Sequence, residues 1–211
     1  MEKLILALDC SLRWTNVAVF LGGGVLISER HDIGRRQAAE LPLIVKDALS
    51  SVGRSFEQVG LLAVTNGPGY FTGIRVGVSY AAALAYGLGV KVAPVSTLHM
   101  LASRRMERAP LLVVVYAGRE RVYAASFGCE DELPTGEYKK EEIEKWLSIH
   151  EKHENVEVVS DDPGKTFLTG LGLEVLQVLP DASDVARIAW RFPAAAVHPM
   201  ELKVSYHRNP S

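Results

Sequence analysis

Cysteine is nearly absent. Cys10 and Cys129 are the two in 211 residues, far apart and outside any Cys-x-x-Cys or zinc-ribbon spacing, which argues against a disulfide framework and a structural zinc site. An excess of either charge is missing too. With 23 basic and 25 acidic residues the net charge is −2, so no global field draws the chain onto nucleic acid. No apolar run reaches the roughly 18–20 residues of a membrane span, and the opening MEKLILALD meets an acid at once. The expectation is a soluble, cytoplasmic protein with no membrane partner. Neither a His-Glu-x-x-His zinc motif nor a Gly-x-Ser-x-Gly nucleophile elbow is found, so hydrolase chemistry has no visible machinery. What is present is 48% hydrophobic and 23% charged, a globular composition sufficient for one large domain or two small ones.

Residues 4–8 and 15–20 read as apolar strands around a polar turn, and a Gly22 to Gly24 turn leads into a third strand ending at His31. The period then changes. Leu41, Ile44, Val45, Ala48, Leu49 and Val52 recur at three- and four-residue spacing, one apolar stripe on a helix with Pro42 in its first turn. Residues 61–65 predict a buried strand, followed by the glycine-rich NGPGYFTG and a helix from Arg75 to Gly89; residues 91–96 add a strand and 98–106 a short helix. The order βββαβαβα predicts a mixed sheet with helices over it. After Pro110 a smaller, irregular copy follows: strands at 111–118 and 121–128, an exposed charged helix over 137–154, strands at 156–160 and 173–179, and a helix over 181–192. No flexible linker separates the halves.

Asp9 and Ser11 lie in a turn that ends a buried strand, where an acid can orient hydrated magnesium and turn amides can hold a phosphate. The same residue types are also ordinary turn formers. Gly67, Gly69 and Gly73 open a helix whose amides suit an anion, although the segment lacks the Lys-Ser/Thr ending of a P-loop. Glycine there equally permits a tight turn. Gly73, Gly77, Ala81 and Ala85 are four apart, so one helix face is nearly bare backbone. That face either packs within its own domain or, with the Leu41 to Val52 stripe, forms half of a helical interface. His150 and His153 share a polar helix with no third ligand suggested, and read as solvated side chains rather than a metal site.

The segments ILALDCS, NGPGYFTGIRVGVSYAAALAYGLG and PVSTLHMLA closely resemble the TsaB (YeaZ) family of bacterial tRNA threonylcarbamoyladenosine biosynthesis subunits. The similarity is strong over residues 4–105, weaker beyond, and faint in RVYAASF and VSYHR. It implies two actin/hexokinase/Hsp70-like (ribonuclease H-like) lobes, α/β with mixed sheets flanked by helices. The expected lobes are 1–108 and a smaller, divergent 109–211, with a return of the extreme C-terminus to the first lobe left open. The resemblance also implies a catalytic TsaD partner that binds ATP and metal and modifies adenosine 37 of tRNA. A TsaE subunit joins the larger complex, and tRNA is held mainly through the complex.

TsaD holds its metal with a His-x-x-x-His pair, and no such pair occurs here. This subunit is therefore expected to be non-catalytic, to bind no metal and to require no cofactor of its own. Asp9, Ser11, Gly67, Gly69 and Gly73 would be vestigial phosphate loops. The partner interface implied by the resemblance draws on Leu41, Ile44, Val45, Ala48, Gly77, Ala81 and Ala85, and the same helices would pair two copies in isolation. Departures from the family pattern stand at Gln37-Ala38-Ala39-Glu40 and Tyr116-Ala117-Gly118. The competing reading is an active ATP-dependent small-molecule kinase of the same fold, built on Asp9, Ser11 and the glycine loop.

Overall fold

A computed structural model describes residues 3–107, 110–169, 172 and 174–207, without the side chains of 151–154 and 162. The chain divides into two units, residues 1–100 with 180–205 and residues 101–179 with 206–211. The expected boundary at 108/109 itself falls outside the described residues.

In the first unit β1 (Leu4–Asp9), β2 (Thr15–Leu21) and β3 (Gly24–His31) run as an antiparallel meander, then α1 (Gln37–Ser51), β4 (Val59–Gly67), α2 (Phe71–Leu88) and β5 (Val92–Ser96) follow, and α3 (Thr97–Ala102) spans the division at residue 100. The sheet order is β3-β2-β1-β4-β5, with β1, β4 and β5 parallel. Every residue of β1 is buried, because alternate side chains meet helices on opposite faces of the sheet. Leu4, Leu6 and Leu8 join the α1 and α2 core with Leu41, Val45, Leu49, Val78 and Ala81; each fully buried leucine or valine contributes about 1.5–3 kcal/mol.

Two helix starts differ from expectation. α1 begins at Gln37, which moves Pro42 beyond the first turn, and α2 begins at Phe71, four residues before Arg75, which brings Gly73 inside the helix. α2 stops where Gly89 turns left-handed at φ 67°, its N–H bonding the Ala85 carbonyl, an ending that glycine adopts without steric cost.

The opposite face is covered by α6 (Ala182–Arg191), packed on β1 and β2. Asp181 caps this helix by accepting from the Ser183 N–H at 2.8 Å. The segment 193–205 continues along the same unit, with Val92 and Val197 exchanging backbone bonds of 3.0 and 2.8 Å. The expected second lobe, 109–211 with a return of its extreme C-terminus left open, gives the whole of 180–205, α6 included, to the first unit. The apolar side of α6 faces the first sheet, and these contacts outweigh neighbourhood in sequence.

The second unit holds β6 (Leu111–Gly118), β7 (Arg121–Phe127), β8 (Gly136–Lys139), α4 (Lys140–Glu154), β9 (Glu157–Ser160), α5 (Asp162–Thr169) and β10 (Leu176–Gln177). Its order β8-β7-β6-β9-β10 repeats that of the first sheet, strand for strand. The charged segment expected to be helical from 137 opens instead with β8, which pairs with β7 at Arg121↔Lys139 through Ala124↔Gly136. Nor is α4 polar all round, since Ile143 and Leu147 are buried in the second core. The strand expected over 173–179 shrinks to two residues, and α5 was not anticipated, being eight residues long with Pro163 near its start.

Candidate functional site

β1 carries Asp9 to the carboxyl end of the sheet, where the carboxylate is fully buried. A buried charge persists only when hydrogen bonds replace its water. Asp9 Oδ1 accepts from the Ser11 N–H at 3.0 Å, the Ser11 hydroxyl at 2.6 Å and the Thr65 hydroxyl at 2.7 Å. Its Oδ2 accepts from Asn16 Nδ2 at 2.8 Å. A carboxylate has about four lone-pair positions, and four protein donors leave it little capacity to orient hydrated magnesium.

Asn16 and Thr65 were missed in the sequence. Asn16 stands opposite Asp9 across the β1–β2 ladder and could have been found from the hairpin register, whereas Thr65 reaches Asp9 only through the parallel pairing of β1 with β4. Gln37, noted only as a departure from the family pattern, is buried beside them and donates from Nε2 to Thr15 Oγ1 at 3.0 Å.

The glycine segment lies against this turn. The Tyr70 N–H donates to the Ser11 carbonyl at 2.7 Å. A Cβ on Gly69 would collide with the Ser11 carbonyl and one on Gly73 with the Cys10 carbonyl, while at Gly67 it would stand 2.7 Å from the Ser205 carbonyl. The fold therefore does bring Asp9, Ser11, Gly67, Gly69 and Gly73 together. Their visible role is close backbone packing, in which each glycine makes room for another chain segment. Cys10 is sealed in the same contact, and burial, reinforced by the Asp9 carboxylate, pushes its thiol well above the ordinary value, which keeps it protonated and inert.

Two glycines of α2 give opposite expected outcomes. Alanine favours a helix interior over glycine by about 1 kcal/mol, and a Cβ at Gly87 meets nothing within 4 Å, so Gly87→Ala should stabilise by about that amount. At Gly73 the new methyl meets the Cys10 carbonyl, and overpacking costs about 1–3 kcal/mol. Urea denaturation of the two variants should show shifts of opposite sign.

The expected interface residues need correction. Leu41, Val45, Ala48, Ala81 and Ala85 are fully buried, Gly77 is buried, and Ile44 is half-buried against the same core. The stripe of small residues serves the sheet of its own unit, where Gly77 lets α2 come close to Cys10 and Val64. The outward faces of the same helices are different residues. Leu43 is 60% exposed, Phe71 54% and Tyr86 67%, and Thr72, Ser79 and Ala83 are exposed along α2. Arg75 is the one charged residue in the 18 of α2 and lies over the Phe71 ring at 3.8 Å.

His150 is buried rather than solvated. It stacks on Trp146 with ring centroids 4.1 Å apart, and its Nδ1 lies 2.8 Å from the Trp146 carbonyl; the His153 side chain lies outside the described residues. Among the described residues no group of three or more His, Cys, Asp or Glu is placed to hold a metal, and no helix is long and apolar enough to cross a membrane.

Residues 31–209 match the family model described as TsaD, tRNA N6-adenosine threonylcarbamoyltransferase. The tRNA threonylcarbamoyladenosine biosynthesis protein TsaB of Escherichia coli (strain K12) is 30% identical over 192 residues, 89% of this chain and 78% of the relative. A tRNA N6-adenosine threonylcarbamoyltransferase of Streptococcus thermophilus (strain CNRZ 1066) is 32% identical over 149 residues, but these span 60% of this chain and only 44% of the relative. The solved structure of YeaZ from Pseudomonas aeruginosa superposes with a TM-score of 0.77 at 23% identity, covering 97% of this chain and 99% of that one, and the paired sheets form the two-lobe actin-like fold. Agreement over most of TsaB's length, set against agreement over less than half of the transferase, decides the branch: the chain belongs to the TsaB family of tRNA threonylcarbamoyladenosine biosynthesis proteins.

Proposed function

We propose that this chain is a non-catalytic subunit of the machinery that forms threonylcarbamoyladenosine on tRNA, and that it acts by binding a TsaD subunit through the outward faces of α1 and α2. The observation that carries this reading is the state of Asp9. The carboxylate that a kinase of this fold would aim at magnesium is taken up by Ser11, Thr65 and Asn16, and the adjoining glycine loop is filled by neighbouring backbone. ATP and metal then belong to the partner, with a TsaE subunit joining the larger assembly and tRNA held mainly by the complex in the cytoplasm. The weakly charged outward face of α2 supports the docking role, because depletion of charge distinguishes the cores of protein interfaces.

Reconstitution tests the reading. TsaD and the remaining factors should modify an unmodified tRNA transcript at least tenfold faster with this chain than without it, and equal rates would refute the subunit role. Calorimetry with ATP and magnesium on the isolated chain should give no measurable binding; tight binding lost on Asp9→Ala would instead establish the small-molecule kinase.

A further inference from the structure

Attention falls on the end of the first sheet opposite Asp9, where β1, β4 and β5 begin. Trp190, near the end of α6, lies there, its ring centroid 6.1 Å from that of Phe20 and its edge 3.4 Å from where a Cβ on Gly23 would stand. Phe20 pairs with Ile5 in register, which fixes Trp190 at the starting end of β1. Despite those contacts Trp190 is 52% exposed and Phe192 is 55% exposed.

The strand starts supply the charges. Lys3 and Lys91 immediately precede β1 and β5, and the Lys3 side chain lies against Gly60 at the start of β4. Both are exposed. Their strands lie two steps apart in the order β1-β4-β5, about 10 Å at the usual spacing. Arg187 and Arg191, one helical turn apart, are exposed on α6. Glu57, on the turn into β4, borders the group. Two exposed lysines thus precede the strands that start at this end, and two exposed arginines share α6 with Trp190, in a chain whose net charge is −2.

We infer that this end of the first unit is an RNA-contacting surface, with Lys3, Lys91, Arg187 and Arg191 neutralising phosphates and Trp190 offering its face to an unpaired base. The inference rests on the proposed function, which brings tRNA to the assembly, and adds that this chain itself touches it. Charge complementarity selects the occupant. A polyanion with exposed bases matches cations interleaved with aromatics, whereas the outward faces of α1 and α2, with one charge on α2, do not.

The test uses the assembled subunits and an unmodified tRNA transcript. Lys3→Glu combined with Lys91→Glu alters two exposed side chains and should raise the Kd for the transcript at least tenfold. The slope of log K against log salt should also become shallower by about 1–2, because fewer counterions are released. Trp190→Phe keeps an aromatic ring against Phe20 and should abolish most of the tryptophan quenching that the transcript causes. Unchanged tRNA affinity in the double variant overturns the inference, as does loss of the TsaD subunit in its place, which would mark a protein contact. If the wild-type chain proves dispensable for modification, the proposed function fails; if it is needed and the double variant binds tRNA normally, only this inference fails.

Discussion

Asp9→Ala should cost about 3–4 kcal/mol of stability, the sum left when several buried donors lose one shared acceptor. The Ser11 N–H, the hydroxyls of Ser11 and Thr65 and the Asn16 amide all converge on this carboxylate, within a unit that has about 5–15 kcal/mol in all, as is usual for a domain. A ligand-binding acid behaves in the opposite way. Removing it from a site built for magnesium relieves unpaired charge, leaves stability unchanged or higher, and abolishes function. Denaturant titration of Asp9→Ala therefore separates the two roles, and a midpoint equal to wild type would remove the structural account of Asp9. Asp9→Asn keeps one acceptor oxygen and should recover part of the loss.

Ala83→Glu should leave the fold intact and weaken TsaD binding at least a hundredfold, about 2.7 kcal/mol. Ala83 is exposed on α2 between Ser79 and Tyr86, and glutamate is a good helix former, so the free chain has no reason to unfold. At a docked interface the same carboxylate would be buried without a partner, which is costly. Pull-down and calorimetry with purified TsaD measure the effect. Pairing of two isolated copies, expected through the same helices, should be lost in parallel by light scattering. Unaltered binding of TsaD would displace the docking surface from α2.

Much of the first unit was legible because its signals are local. The strand runs at 4–8 and 61–65 and the stripe from Leu41 to Val52 each state their period within one element, and the paired orders β3-β2-β1-β4-β5 and β8-β7-β6-β9-β10 bear out the reading of the second half as a copy of the first. The site was half legible. Asp9, Ser11 and the glycines stand out by residue type, but their use does not, because Thr65 lies 56 positions from Asp9 and meets it only through sheet pairing. Apolar spacing likewise identifies a helix face without saying which surface covers it. Leu41, Val45 and Ala81 carry the same pattern whether a sheet or a partner lies opposite, and here the sheet does. β8 and α5 escaped because four residues or eight, one of them Pro163, hold too little of any period to read.

The first unit takes α6 from residues that follow the whole of 101–179. During synthesis the side of its sheet bearing Ile5, Ala18 and Phe20 must therefore wait, uncovered, until the ribosome has passed residues 101–179 and reached α6. At roughly 5–20 residues per second, the interval between the last strand of that sheet and the helix that covers it lasts several seconds, and through that interval the nascent chain carries an open greasy surface of the kind that chaperones hold.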